Sequence, residues 1–297
     1  MLAITQKNKN KDRRSNTITQ TIKEISEMAE RIYVENLHQR INIETEDPSI
    51  RQLIVNINAF IERVETAVKK QAVFVSDASH EMRTPISIIK GYADLIDRWG
   101  KRDPEILQES INAIKMETEH MNSLINSLLM LAKDEDKHLP YDKDIISLNA
   151  VAAEALREII LLHKFDAVEL IEESNEFING DFDMILQLIW IFIENSMKYA
   201  RNNNDHIIVT IYGNENNSML SVKDCGIGIG EEDLPNIFER FYRADKSRST
   251  NKIPGFGLGL SVASMIIKAH HASVYVDSQV GEGTEFIVSF PKPKTGL

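Results

Sequence analysis

A single cysteine, Cys225, stands in 297 residues, so neither an internal disulfide nor a cysteine zinc site can be built. That scarcity suits a reducing, cytosolic setting. Long apolar runs are also missing. Nothing approaches the roughly 18 uninterrupted apolar residues of a membrane span, and Met1 to Thr5 is too short for the core of a secretory leader. The chain as given reads as soluble. Basic charge is in deficit, with 34 Lys and Arg against 45 Asp and Glu and a formal charge of −11. With no segregated basic face, nucleic acid is disfavoured as the main partner. A Walker-type lysine motif is absent, as is a glycine motif opening a strand-turn-helix unit with an acidic residue about 20 positions on. What remains is an ordinary core-forming composition, 42% hydrophobic and 27% charged, of a length that suggests two or three domains.

The N-terminal half is patterned as helical seam. Ile18, Ile22, Ile25, Ala29 and Ile32 alternate steps of four and three, the spacing of a coiled coil. Glu44-Thr45-Glu46-Asp47-Pro48 interrupts it, since Pro48 cannot continue a helix. The frame then restarts at Ile50 and runs through Ile54, Ile57, Ile61, Val64, Val68, Ala72, Val75, Ser79, Met82, Ile86, Ile89, Ala93 and Ile96. At 1.5 Å per residue that seam extends about 70 Å. Gly100, Asp103 and Pro104 carry a helix stop, an N-cap and a first helical position. A second seam follows at Leu107, Ile111, Ile114, Thr118, Met121, Ile125, Leu128 and Ala132. Two amphipathic helices in a hairpin leave an apolar stripe open, and pairing two hairpins into a four-helix bundle closes it. A homodimer is expected.

Beyond a charged linker, Lys133-Asp134-Glu135-Asp136-Lys137, the heptads stop and a mixed α/β domain is expected from about Tyr141. Helical patterns at 148–162, 183–200 and 258–270 alternate with strand patterns at 167–172, 207–212, 219–223, 273–276 and 286–290. That alternation predicts one sheet with helices stacked on it. Glycine concentrates in three late clusters: Gly226 to Gly230, Gly255 to Gly259, and Gly281 to Gly283. Any one alone is more often a set of tight turns. Glycine turns also let backbone N–H groups approach a phosphate, and the second cluster leads into a helix N-terminus that favours an anion.

The order of motifs carries a resemblance. Ser79-His80-Glu81-Met82-Arg83-Thr84-Pro85, Glu194-Asn195-Ser196-Met197-Lys198-Tyr199-Ala200, Asp224-Cys225-Gly226-Ile227-Gly228, Phe238-Glu239-Arg240-Phe241-Tyr242-Arg243 and Gly255-Phe256-Gly257-Leu258-Gly259 follow one another. These resemble the H, N, G1, F and G2 boxes of sensor histidine kinases of bacterial two-component systems. The resemblance implies a helical coiled-coil and four-helix-bundle dimer followed by an α/β sandwich that binds ATP. It divides the chain into a juxtamembrane basic segment (1–16), a HAMP-like signal relay (17–70), a dimerisation and histidine-phosphotransfer hairpin (71–136) and a catalytic ATP-binding domain (141–297). The HAMP part rests on the two seams and their connector, a generic parallel coiled coil being the alternative. Lys7, Lys9, Lys11, Arg13 and Arg14 after an apolar start suit either a solvated tail or a stretch just inside a membrane. On the second reading the chain is the cytoplasmic portion of a membrane sensor whose span lies outside these residues.

His80 lies one position past the seam residue Ser79, about 100° round the helix and so facing outward. An imidazole is largely unprotonated and nucleophilic near neutral pH, suited to attack a γ-phosphoryl group. By resemblance, Glu81 orients the imidazole proton and Thr84, one turn on, positions water to hydrolyse the partner's phospho-aspartate. Pro85 deletes a backbone hydrogen bond and can bend the helix there. The resemblance further implies that Asn195 holds Mg²⁺, Lys198 adds positive charge, Tyr199 meets the base and Asp224 accepts from the adenine amino group. Gly226 and Gly228 keep that turn open, and Thr284 supports the adenine. Gly255, Gly257, Leu258 and Gly259 form the phosphate turn. Arg243, with Arg240, Lys246 and Arg248, sits on a lid spanning 230–254. The implied partners are a second copy of the chain and the receiver domain of a response regulator.

Two positions depart from the family pattern. Ile191 stands where an Asn is common, four before the metal Asn, and Phe256 where a small hydroxyl residue is usual. Two other functions stay open at this level: an ATP hydrolase of the gyrase and heat-shock-chaperone type, and a nucleotide-binding scaffold or phosphatase-dominant sensor. The hydrolase needs a general base four before the metal Asn, where Ile191 stands, and Glu194 is read as pointing about 100° away.

Overall fold

The computed structural model describes residues 19–28, 36–45, 47–100, 102–135, 142–163, 165–202, 205–244 and 255–293. The basic N-terminal segment, Ile18, Ala29, Ile32, Asp136, Lys137, Lys246, Arg248 and Pro254 lie outside them. The chain forms two compact units, Met1–His80 and Glu81–Leu297.

In the first unit, helix α1 (19–28) is followed by a connector without regular secondary structure over 39–45 and by the start of helix α2 (Pro48–Trp99). Asp47 caps α2, its Oδ1 accepting from Ser49 N at 2.9 Å, and Pro48 takes the first helical position, where a missing N–H costs nothing. Ile25, Ile41, Ile50 and Ile54 form a buried core, joined by Met28, Ile43 and Ile57. The connector is fastened rather than draped. Asn58 Oδ1 accepts from Ile41 N and its Nδ2 donates to Ile41 O, both at 2.9 Å, so one amide satisfies both backbone groups of the core residue. Glu65 accepts from Lys69 and Arg40, and those bonds hold its carboxyl at about 2.

The seam of α2 is buried at Ile54 and Ile61 and opens beyond, Val75 being 57% exposed. In the second unit Pro85 is buried, Met82, Ile89, Tyr92 and Ile96 are half-buried, and Ile86 is 53% exposed. The hairpin turn matches expectation, with Gly100 N donating to Ile96 O at 2.9 Å and Asp103 Oδ1 accepting from Glu105 N at 3.0 Å. Helix α3 (Pro104–Glu135) continues through the first three residues of the expected linker. Within one chain Ser110, Leu124 and Leu131 are its buried positions, while the predicted seam is half-buried at Leu107, Ile111, Ile114, Met121 and Leu128 and exposed at Thr118, Ile125 and Ala132. The two lines differ by one position, about 100° of helix. Both repeat every seven residues, so heptad counting alone does not choose between them.

The α/β part runs β1 (Asp144–Ser147), α4 (Leu148–His163), β2 (Val168–Glu172), β3 (Phe177–Gly180), α5 (Phe182–Lys198), β4 (Ile207–Gly213), β5 (Asn217–Lys223), α6 (Gly259–Ala269), β6 (Ser273–Gln279) and β7 (Gly283–Pro291). Five strands form one sheet in the order β2-β4-β5-β7-β6, with β2 and β4 parallel and the other neighbours antiparallel. The five expected strands thus form the expected single sheet, and β1 and β3, which were not expected, pair separately. Helices α4, α5 and α6 pack on the larger sheet. Phe192 of α5 stacks on Phe286 of β7, centroids 4.7 Å apart.

Helix α5, which carries the N-box residues, is held at its start. Asp181 Oδ1 caps it by accepting from Met184 N at 3.1 Å. Asp181 N in turn donates to His270 Nε2 at 3.0 Å, while His270 Nδ1 donates to Ile266 O at 2.8 Å. The pair of bonds fixes a neutral tautomer, and burial pushes the imidazole pKa below its ordinary value. The end of α6 is thus tied to the start of α5.

Candidate functional site

Two adjoining cavities open beside the C-terminal half of α5. The larger, about 540 Å³, is lined by Asn195, Lys198, Tyr199, Asp224, Gly228, Arg243 and Thr284, with apolar walls from Ile227, Ile229, Ile237, Leu260, Val280 and Phe286. The smaller, about 110 Å³, shares Asn195, Lys198, Tyr199 and Arg243 and adds Ile191, Glu194, Gly255, Phe256, Gly257 and Gly259. Residues from five separate stretches of sequence therefore meet in one place. Leu258 is buried beneath the glycine turn, and Gly226 acts through its backbone. His80, Glu81 and Thr84 line neither cavity. His80 and Thr84 are exposed and Glu81 is half-buried.

Asp224 is 7% exposed and held from three sides. Its Oδ1 accepts from Gly226 N at 2.8 Å and Thr284 N at 3.1 Å, and its Oδ2 accepts from Ser196 Oγ at 2.9 Å. A carboxylate has about four lone-pair sites, so one acceptor position on Oδ2 remains for a ligand. Sequence reasoning missed Ser196. It stands inside the N box beside Asn195, but only the fold brings it to Asp224. Ser278 was missed as well: it bonds the Thr284 hydroxyl at 2.8 Å and accepts from Ile229 N at 2.8 Å. Arg201 ties two loops of this region, donating to Cys225 O at 2.8 Å and Gly281 O at 2.6 Å.

The glycines are required where backbone crowds backbone. A Cβ on Gly226 would lie 2.6 Å from Tyr199 O, and one on Gly283, at φ +120°, would lie 2.1 Å from Asp224 O. Gly257, at φ +71°, accepts from Phe241 N at 3.0 Å, tying the glycine turn to the F box. Nearby, Tyr242 Oη donates to Asp233 at 2.6 Å, which raises the phenol pKa above its ordinary value.

Asn195 borders both cavities, and its Nδ2 is buried with no protein partner. An amide that the fold leaves unsatisfied at a cavity wall is placed for a ligand. Glu194, about 100° round the helix from Asn195, also lines the smaller cavity and pairs with Lys198 at 3.8 Å.

Comparison with known proteins agrees with this geometry. Residues 70–137 match the family model of the His Kinase A (phospho-acceptor) domain. Residues 180–294 match that of the histidine kinase-, DNA gyrase B- and HSP90-like ATPases. The chain belongs to the sensor histidine kinases of two-component systems. Among its relatives, the sensor histidine kinase YkoH of Bacillus subtilis is 37% identical over 245 residues, 82% of this chain and 53% of that protein. The signal transduction histidine-protein kinase ArlS of Staphylococcus epidermidis is 34% identical over 278 residues, 93% of this chain and 60% of that protein. This sensor-kinase chain thus spans a little over half the length of these curated relatives. Its fold is shared with Acinetobacter baumannii histidine kinase AdeS (TM-score 0.56, 24% identity, 72% of this chain and 98% of that one). It is also shared with histidine kinase ThkA solved in complex with the response regulator protein TrrA (TM-score 0.60, 22% identity, 77% of this chain and 64% of that one). Among the described residues no helix is long and apolar enough to cross a membrane.

Proposed function

We propose that this chain is an ATP-dependent protein-histidine kinase that phosphorylates His80 and passes the phosphoryl group to an aspartate on the receiver domain of a response regulator. The observation that carries the ATP part is Asp224, anchored on three sides with one acceptor position left, in a cavity shared with Asn195, Lys198, Arg243 and the glycine turns. That acceptor takes the adenine amino group, Thr284 and Gly228 shape the base pocket, and Tyr199 flanks it. Gly226 lets the backbone turn close under Asp224.

The phosphates extend into the smaller cavity, where Gly255, Gly257 and Gly259 leave room for backbone approach and α6 presents its N-terminus. Lys198 and Arg243 supply cationic donors. Asn195 borders both cavities, where its unpaired Nδ2 can donate to a phosphate oxygen and its amide oxygen is the neutral type of ligand that Mg²⁺ accepts. Bound there, Mg²⁺ would neutralise phosphate charge. In the transfer, an imidazole nitrogen of His80 forms a bond to the γ-phosphorus as the bond to the β,γ-bridging oxygen breaks, releasing ADP. Glu81 holds the proton on the other ring nitrogen. Thr84 serves the opposite reaction, positioning water against the phospho-aspartate of the regulator.

The chain acts as a homodimer, since Val75 and Ile86 are apolar seam residues more than half exposed on a single chain. Residues 17–70 form a HAMP-like relay, a reading supported by the connector fastened through Asn58 in the first unit. Residues 71–136 form the phosphotransfer hairpin and 141–297 the ATP-binding domain. Membrane attachment, where present, comes through a span outside these residues.

The test is incubation of the chain, beside a His80→Ala variant, with γ-labelled ATP and Mg²⁺. Alkali-stable, acid-labile label on the wild type alone is expected. Free phosphate without retained label would reassign the chain as a hydrolase, and ATP binding with neither product as a nucleotide-binding scaffold.

A further inference from the structure

Residues 191, 194, 195 and 198 together line one wall of the smaller cavity. At 3.6 residues per turn these positions span about 100° of helix surface, so the wall is a single broad face of α5. On it, Ile191 bears no oxygen. Its Cγ2 would lie 3.5 Å from a Cβ on Gly259, so this position serves the packing of α5 against the glycine turn. Glu194 does bear oxygens, next to Asn195 in sequence and on the same wall.

A carboxylate is an odd lining for a pocket that accepts phosphates. Like charges repel unless a cation lies between them. Lys198 does not account for it fully: the pair is 3.8 Å long, with side chains 39% and 42% exposed, the range in which ion pairs hold weakly. We propose that Glu194 is the second oxygen donor to the divalent cation that accompanies ATP, directly or through one of the ion's waters, in place of the side chain that Ile191 lacks. A hard cation prefers oxygen, and a carboxylate beside an amide oxygen is a common pairing for it. The inference rests on the ATP-binding reading above.

The test is calorimetric titration of the whole chain with ATP, at stepped free Mg²⁺ and again in EDTA, for the wild type, Glu194→Gln and the double variant Glu194→Gln with Ile191→Asn. Thermal melts check that each variant is folded. Glu194→Gln should shrink the Mg²⁺-dependent gain in ATP affinity about tenfold, the scale of loss when a group supporting a metal is removed. In EDTA its affinity should be unchanged or higher, because a negative charge has gone. The added Asn at 191 should restore part of the Mg²⁺ dependence. Equal losses with and without Mg²⁺ would overturn the proposal and leave Glu194 acting only through Lys198, and an unchanged Mg²⁺ dependence would overturn it too. A wild type that binds no ATP under either condition removes the ATP reading itself.

Discussion

Replacing Asp224 with Asn probes the most constrained group in the site. The amide oxygen of Asn still accepts from Gly226 N and Thr284 N, which leaves the amide nitrogen where Oδ2 now faces Ser196 and the cavity. The Ser196 hydroxyl can rotate to accept, so folding should survive with a loss of about 1 kcal/mol. ATP binding should not survive intact. A charge-assisted acceptor is replaced by a donor facing the adenine amino group, and losing such a bond costs about 1.5–3 kcal/mol, roughly 10- to 150-fold in affinity. The sign can be inverted with the ligand. An inosine nucleotide carries a carbonyl where adenine carries its amino group, so the variant should bind ITP better than ATP while the wild type prefers ATP. Fluorescence or calorimetric titration with both nucleotides reads the four affinities. Equal losses for ATP and ITP, or an ATP affinity left at the wild-type value, would refute the assignment of the free Asp224 acceptor to the base.

Stability should also depend on His270. Its folded pKa is lowered by burial, so the neutral form contributes fully above the ordinary imidazole value of about 6.5. That contribution is lost as pH falls from there toward and through the lowered folded value. Denaturant melts between pH 7.5 and 5 should show the decline, and a His270→Gln variant should flatten it; parallel curves would sink the idea. For Gly283→Ala, a φ of +120° and a Cβ 2.1 Å from Asp224 O force β7 to shift. Backbone strain alone should cost about 1–3 kcal/mol, with weaker ATP binding measured beside the melt. Unchanged melting and binding would mean that the turn relaxes without disturbing Asp224.

Much of the site was legible because the boxes are local. Asn195 and Lys198 lie in the last turn of α5 with Tyr199 at its C-cap, and Asp224, Gly226 and Gly228 share one loop, so spacing along the chain already implied proximity. Ser196 and Ser278 were not legible. Each acts on a partner elsewhere: Asp224 is 28 residues from Ser196, across a strand pair. Glu194 lies about 100° from Asn195 on the helix, and the wall is wide enough to hold both. The small β1–β3 sheet escaped notice because four-residue strands carry too few alternations to register.

The sequence by itself determined the helical seams, the hairpin stop and start at Gly100, Asp103 and Pro104, and the order of the motifs, because each rests on interactions spanning a few residues. Tertiary structure decided what is long-range. It set which line of α3 is buried within one chain, at Ser110, Leu124 and Leu131, one position from the seam, since two stripes of the same period differ only in what packs against them. It set the strand order β2-β4-β5-β7-β6, which no local pattern encodes. It also brought Asp224 and Glu194, 30 residues apart, to the walls of two cavities that share Asn195, Lys198, Tyr199 and Arg243, because which residues meet depends on how helices and loops are seated against the sheet.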